Sequence, residues 1–517
     1  MANDGVVVIG AGVGGLVSAA LLAARGHAVT LVEAQAGPGG KLRDIAVEGA
    51  AIDAGPTVFT LRHIFDEVFA ACGDSLDRHL TLHPAATLAR HAWGDARLDL
   101  FADPAASEAA IGDFTGAADA RGYRDFRQEA KRLFDSLDRP FLRGTRPDPL
   151  TLGWRMGVRG FADYRTLRPF TSMWRALGGY FRDPRLQQLF GRYATYCGSS
   201  PFACPATLML IAHAEASGVW LIEGGMHRLA IALEALGRQN GVRFRYGAPV
   251  RSIEIASGRA TGVVLDSGER LSASAVVCNA DPAAIASGRF GAAARRAVSS
   301  VPRPRRSLSA MVWTGHARAA GFPLLRHNVF FSRDYPSEFA ALAAGRLADS
   351  PSVYVCAQDR ADGDHAPRDR ERVQIIVNAP PVGDGTGFTQ GEIATCTRRM
   401  LEGVSRAGLS LDLAPSTILT TPTDFDRLFP STGGALYGPA SHGWAASFRR
   451  QGSRTRIAGL YCAGGSTHPG AGVPMAALSG RLAVDCLLRD RVSTSVSMPA
   501  VMPGGMSTRP ARTVPTG

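Results

Sequence analysis

Four glycines in one short turn are the first residues in this chain with chemistry to offer. Gly10, Gly12, Gly14 and Gly15 follow the apolar run Val6-Val7-Val8-Ile9, and Glu33 ends a second apolar run that starts at Ala28. Gly10 permits a tight turn, Gly12 lets the main chain come close to a pyrophosphate, and Gly15 lets a following helix pack tightly on the strand. A helix starting there points free N–H groups and the positive end of its dipole at phosphate oxygens. An acid at the end of the second strand can accept hydrogen bonds from ribose hydroxyls. The chemistry expected of this set is the binding of a dinucleotide, either a nicotinamide or a flavin.

These residues require a strand, a helix from about Gly14 to Arg25 closed by Gly26, and a second strand, in parallel pairing. A second segment of similar character starts near Glu223: Gly224-Gly225, an apolar-periodic helix, then strands over 242–246, 250–255, 260–265 and 275–278, with a hairpin turn at 266–269. A third holds a strand at 460–463, a glycine-rich turn and a helix from about Pro474 to Leu488. The expected fold is α/β: a discontinuous Rossmann-like nucleotide domain formed by 1–90, 223–300 and 456–490, with an inserted α+β domain formed by 91–222 and 301–455. The tail, 491–517, is rich in Ser, Thr, Pro and Gly, and disorder is expected there.

Composition excludes several classes. The eight cysteines never stand at C-x-x-C spacing, which argues against structural zinc, an iron–sulfur cluster or a dithiol redox centre. No metal site is expected. The net charge of +12 rests almost entirely on arginine, with Lys41 and Lys131 the only lysines. Such a balance reflects either an anionic partner or a general arginine bias. Basic residues do not gather in a nucleic-acid-binding pattern, so that partner is not expected. No apolar run is long enough to span a bilayer. The first strand begins within a few residues of Met1, so a cytoplasmic chain without a leader is expected.

The segments after the fingerprint narrow the class. Pro38-Gly39-Gly40-Lys41 and Asp53-Ala54-Gly55-Pro56-Thr57 resemble the run that continues the fingerprint in the amine-oxidase-like flavoproteins. The resemblance implies FAD, with Gly39 and Gly40 passing close to the pyrophosphate, Lys41 as its counter-charge, and Gly55-Pro56-Thr57 turning near the isoalloxazine. Val250 joins the implied cofactor set. Ala463-Gly464-Gly465-Ser466-Thr467-His468-Pro469-Gly470-Ala471-Gly472-Val473-Pro474-Met475 resembles the phytoene-desaturase type of carotenoid desaturase. Gly464, Gly465, Val473, Pro474 and Met475 are thereby implied to face the flavin, at a helix end that favours its anionic reduced form. Gly465-Ser466 stands where many relatives carry an acid, so any ribityl contact here would use backbone or hydroxyl.

Segments at 199–201, 327–332, 354–360 and 429–438 resemble the branch that desaturates 1-hydroxylated carotenoids at the 3,4 bond. This resemblance implies an acyclic carotenoid substrate, peripheral attachment to a membrane surface, and oxygen or a quinone as terminal acceptor. Two hydrogens would leave adjacent carbons, one as a hydride and one as a proton, with the intervening cation spread over the polyene. A desaturase acting on phytoene, and a non-catalytic isoprenoid escort, are the rival readings. His468 is either an acid–base group or a side chain that caps its own turn. Asp163, Arg165 and Arg168 read as a solvated helix face more readily than as ligands for a hydroxyl. Trp154, Phe161, Phe170, Trp174, Tyr180 and Phe181, interleaved with arginines, suit an interfacial segment or ordinary core.

Overall fold

The computed structural model describes residues 5–166, 168, 170–360, 367 and 369–496, without the side chains of 158–166 and 493–496. Its central sheet is parallel and five-stranded, in the order Arg243–Arg245, Val29–Val32, Val6–Ile9, Ala275–Cys278, Leu460–Cys462. Every residue of Val6–Ile9 and of Ala275–Cys278 is buried. That explains why these strands are uninterrupted apolar runs rather than alternating ones. The helix Val13–Ala23 is also buried along its whole length. It is covered by the helices Arg228–Gln239 and Val473–Val496. Ser18 Oγ donates to Gly14 O at 2.7 Å and to Gly480 O at 3.1 Å. A Cβ on Gly480 would lie 2.4 Å from Gly14 O, so the two helices meet at a contact only glycine fits.

The second layer is a mixed sheet built from 87–101 and 309–420. Ser309–Ala320, Glu371–Ala379, Val353–Ala357 and His327–Phe330 run antiparallel in that order, and Thr87–Trp93 joins His327–Phe330 in parallel. The α/β class with a separate α+β layer is therefore the observed one. Pairing redraws two of the expected cuts. Thr87–Trp93 belongs to the second sheet, although its first residues lie before position 91. Val219–Ile222 pairs with Phe59–Thr60 and Leu82–Pro84 of the first segment. Both displacements follow from backbone hydrogen bonding across a chain excursion that local sequence does not reveal. The last helix continues past the expected Leu488 to Val496. The rest of the tail expected to be disordered lies outside the described residues. Among the described residues no helix is long and apolar enough to cross a membrane, and no group of three or more His, Cys, Asp or Glu could hold a metal.

Candidate cofactor site and adjoining cavity

A cavity of about 1160 Å³ lies between the two layers, running from Glu33 past Gly55 to Met475. Three glycine turns meet at one end of it. Gly12 and Gly39 bridge in parallel, Gly464 closes the third turn, and Asn279 stands between them. A Cβ on Gly12 would lie 2.6 Å from Asn279 Nδ2, and one on Gly14 would lie 2.7 Å from both Asn279 Oδ1 and the Gly464 nitrogen. On Gly15 it would lie 2.0 Å from Gly10 O. No side chain caps the helix that starts at Val13. Its first N–H groups are thus left for a ligand at the cavity.

The remaining expected cofactor residues fall along the same cavity. Gly10, Glu33, Gly40, Gly55, Pro56, Thr57, Val250, Gly465, Val473, Pro474 and Met475 all line it. Glu33 is oriented by its own loop: Ala11 N–H donates to Oε2 at 2.6 Å and Gln35 N–H to Oε1 at 2.8 Å. Each oxygen keeps capacity for a second donor. Gly55 is held so close that a Cβ there would lie 2.0 Å from Lys41 O.

Lys41 lines the cavity as well. Its ammonium donates to Leu436 O at 2.5 Å and lies 5.2 Å from the centre of the Phe429 ring. Burial pulls its pKa down, Asp281 opposes that, and Arg450 adds to it. Its charge is shared with the 429–437 loop, where a carbonyl and a ring face accept it. His468 differs. Its ring is buried, donates through Nε2 to Phe141 O and Gly144 O, both at 2.9 Å, and packs edge-on against Phe141. It does not line the cavity. As a correction, His468 anchors its turn to the 141–144 loop, and no proton-transfer role follows from its geometry.

Burial lowers the His468 pKa to about 4 and that of His327 to about 3. An unfolded histidine titrates near 6.5, so between pH 4 and 6.5 the folded chain binds fewer protons than the unfolded one. Stability is then full above 6.5 and falls as the medium is acidified through that window. For His468 alone the loss is on the order of 3 kcal/mol by pH 4. The thermal midpoint should hold from pH 8 to 7 and drop below 6.5, with a shallower drop in His468→Gln. Parallel curves for the two chains would contradict this assignment.

Sequence reasoning missed several residues at the site. Asn279 and Asp281 directly follow the strand Ala275–Cys278, and Asn279 Oδ1 and Asp281 Oδ2 are buried without partners. Their signal was positional: a polar pair at the end of a buried parallel strand. Asp53, named in sequence only as the start of its motif, does not line the cavity but holds the start of the helix Arg228–Gln239, accepting from Met226 N at 2.7 Å and His227 N at 3.2 Å. Tyr354, Gln374, Arg192 and Glu215 line or flank the cavity from elements far apart in the chain. Asp359, by contrast, is committed to Arg372 and does not reach the cavity.

The glycine cradle, the uncapped helix end, the open carboxylate of Glu33 and the orphaned Asn279 and Asp281 oxygens fit FAD laid along the cavity. A parallel five-stranded sheet with this cradle defines a dinucleotide-binding protein. The description flavin containing amine oxidoreductase matches residues 13–488. A hydroxyneurosporene desaturase of Rubrivivax gelatinosus is 52% identical over 98% of each chain. A 1-hydroxycarotenoid 3,4-desaturase of Flavobacterium sp. (strain P99-3) is 29% identical, covering 93% of this chain and 98% of its own. Among solved structures, an oxidoreductase from Methanosarcina mazei superposes with a TM-score of 0.57 at 18% identity, covering 94% of this chain and 99% of that one. The chain belongs to the flavin containing amine oxidoreductase family and, within it, to the carotenoid desaturases. It uses FAD.

Proposed function

We propose that this enzyme desaturates the 3,4 bond of an acyclic 1-hydroxycarotenoid. The observation that carries the reading is the 52% identity to a hydroxyneurosporene desaturase over nearly the whole of both chains. The geometry supports it: beyond the cradle the cavity is walled by Val312, Val329, Phe331, Ile376 and Leu308, a surface suited to a polyene end. When bound, the flavin supplies the acceptor for the hydride taken from carbon. The protein's own work is placement and dryness. The sheet residues hold the polyene end in one orientation, and their hydrocarbon keeps water from the charge that spreads along the conjugated chain. Reoxidation falls to oxygen or a quinone. Incubation with a 1-hydroxylated acyclic carotenoid should yield a product lighter by two hydrogens. Turnover of phytoene at an equal or higher rate would assign the enzyme to the other branch.

The same reading places the protein at a membrane surface, since so apolar a substrate resides in lipid. Leu150, Trp154 and Phe170 are more than four-fifths exposed, and Trp444 is 43% exposed. Phe170 packs on Trp444, Trp444 on Phe448, Phe448 on Phe141, and Phe141 on His468. This aromatic line leads from the apolar patch to the 464–475 turn at the cavity. Arg168, Arg175 and Arg449 are exposed on the same or neighbouring segments and suit anionic headgroups. Only part of the segment expected at the interface takes part. Phe181 is buried against Phe126 and Phe190, and Trp174 packs on Phe202 and Tyr335. The side chains of Phe161, Asp163 and Arg165 lie outside the described residues. Anionic liposomes should float the protein, and a Trp154→Ser, Phe170→Ser double variant should stay at the bottom of the gradient. Equal flotation of both would move the contact elsewhere.

A further inference from the structure

Among the hydrocarbon residues of the cavity wall stands a short polar chain with an imbalance in its protons. Tyr354 reaches from the strand Val353–Ala357, and its hydroxyl lies 2.7 Å from Thr57 Oγ1 and 2.7 Å from His327 Nδ1. Thr57 and Tyr354 line the cavity; His327 is buried behind them. His327 Nε2 is buried and has no partner. Burial, helped by the nearby Arg326 and Arg192 guanidiniums, keeps this imidazole neutral, so its ring carries one proton.

Three protons are therefore available for two hydrogen bonds, and the third is left at one end of the chain. If Nδ1 accepted from Tyr354, the spare proton would sit on Nε2 as a stranded N–H in the interior, an arrangement that folded proteins avoid. In the opposite polarity Nδ1–H donates to Tyr354 and Tyr354 donates to Thr57. Nε2 is then a bare lone pair, and the Thr57 hydroxyl holds an unused proton at the cavity. Gln374 stands on the same side of the cavity: its Nε2–H donates to Gly55 O at 3.1 Å, and its Oε1 is buried without a partner. A free donor and a free acceptor thus stand near the Gly55–Thr57 turn.

We propose that Thr57, oriented by Tyr354 and His327, binds the substrate's terminal hydroxyl, and so selects hydroxylated over plain hydrocarbon ends. This rests on the substrate class proposed above. In a 1-hydroxycarotenoid the oxygen is carried by C1, two carbons from C3. Its partner must therefore stand beside the reacting bond, and the Gly55-Pro56-Thr57 turn is the part of the chain expected to face the isoalloxazine. Thr57 is the residue in contact; Tyr354 and His327 position its proton. In a second polar group in the wall Tyr196 donates to Glu215 at 2.9 Å and accepts from Arg192 at 2.5 Å, while Arg192 Nε is buried without a partner, so this group is the rival that a Tyr196 variant tests. An alcohol that finds its partner at Thr57 is held, and an alkyl end leaves that partner unpaired.

The test uses flavin-loaded wild-type, Tyr354→Phe, Thr57→Val, Thr57→Ser and Tyr196→Phe proteins. Anaerobic flavin reduction is followed with a 1-hydroxylated acyclic carotenoid and with its unhydroxylated parent. Tyr354→Phe and Thr57→Val should lower the ratio of the two rates by about tenfold, and Thr57→Ser should keep the wild-type ratio. Flavin content and absorption spectrum report whether a variant has disturbed the cofactor instead. Losses equal for both substrates, or a ratio shifted only by Tyr196→Phe, would overturn the assignment while leaving the substrate class standing. A wild-type protein without preference would remove both.

Discussion

A Gly14→Val chain is expected to purify colourless, with its affinity for FAD reduced by about 100-fold or more. The first Cβ at this position would lie 2.7 Å from the Gly464 nitrogen and 2.9 Å from its Cα. These are backbone atoms of the turn that closes the cradle, and they cannot swing aside as the end of a side chain would. Either the helix Val13–Ala23 must retreat from the 464 turn, or that turn must retreat from the helix. Both movements open the gap between the two glycine turns that the pyrophosphate needs closed. The circular dichroism of the variant should remain that of an α/β protein, since the hydrocarbon core beneath the sheet is untouched. Full flavin occupancy in Gly14→Val would place the cofactor away from this cradle.

Arg360→Met should destabilise the protein by about 3–5 kcal/mol. Arg360 and Glu371 are buried, and they form a bidentate pair with bonds of 2.8 and 2.6 Å. Arg360 also donates to Leu324 O at 3.0 Å. Removing the guanidinium leaves the Glu371 carboxylate buried without its cation, and that uncompensated charge dominates the cost. The double variant Arg360→Met, Glu371→Met should recover most of the loss, because hydrocarbon of similar volume then fills the site. Urea unfolding of the four chains gives the coupling directly. The effect would reach the cavity as well, since Glu371 starts the strand that carries Gln374 and Ile376. Additive losses in the double variant would mean that the two side chains do not compensate one another.

What could be read from the sequence was what neighbours along the chain specify. Val6 to Gly15 is strand, turn and helix start in ten residues, so its spacing alone carries the geometry. Glu33, Gly39 and Gly55 are tied to that unit by short connections, and all of them line the cavity. The 464–475 run announced its turn through glycine content and its helix through Pro474. The contacts that were missed are made only through topology. Thr57 and the segments of His327 and Tyr354 were each legible, but their meeting was not: they come together because the second sheet folds over the first, and no local periodicity records that. Asn279 acquires its place between two glycine turns by standing at the end of the strand beside Val6–Ile9. His468, open between two roles in sequence, stands beside the flavin-facing turn, yet its buried ring is turned away from the cavity to the carbonyls of Phe141 and Gly144. Lys41 likewise sits in a glycine motif, but its long side chain carries the charge to Leu436.

Anaerobic mixing of the flavin-loaded enzyme with a 1-hydroxylated acyclic carotenoid tests the central claim most directly. The account predicts bleaching of the flavin band together with a red shift of the carotenoid spectrum, as one double bond joins the conjugated system. One product molecule should appear for each flavin reduced. Unchanged flavin with every acyclic carotenoid offered, under conditions where dithionite bleaches it, would contradict the claim that this chain is a carotenoid-desaturating enzyme.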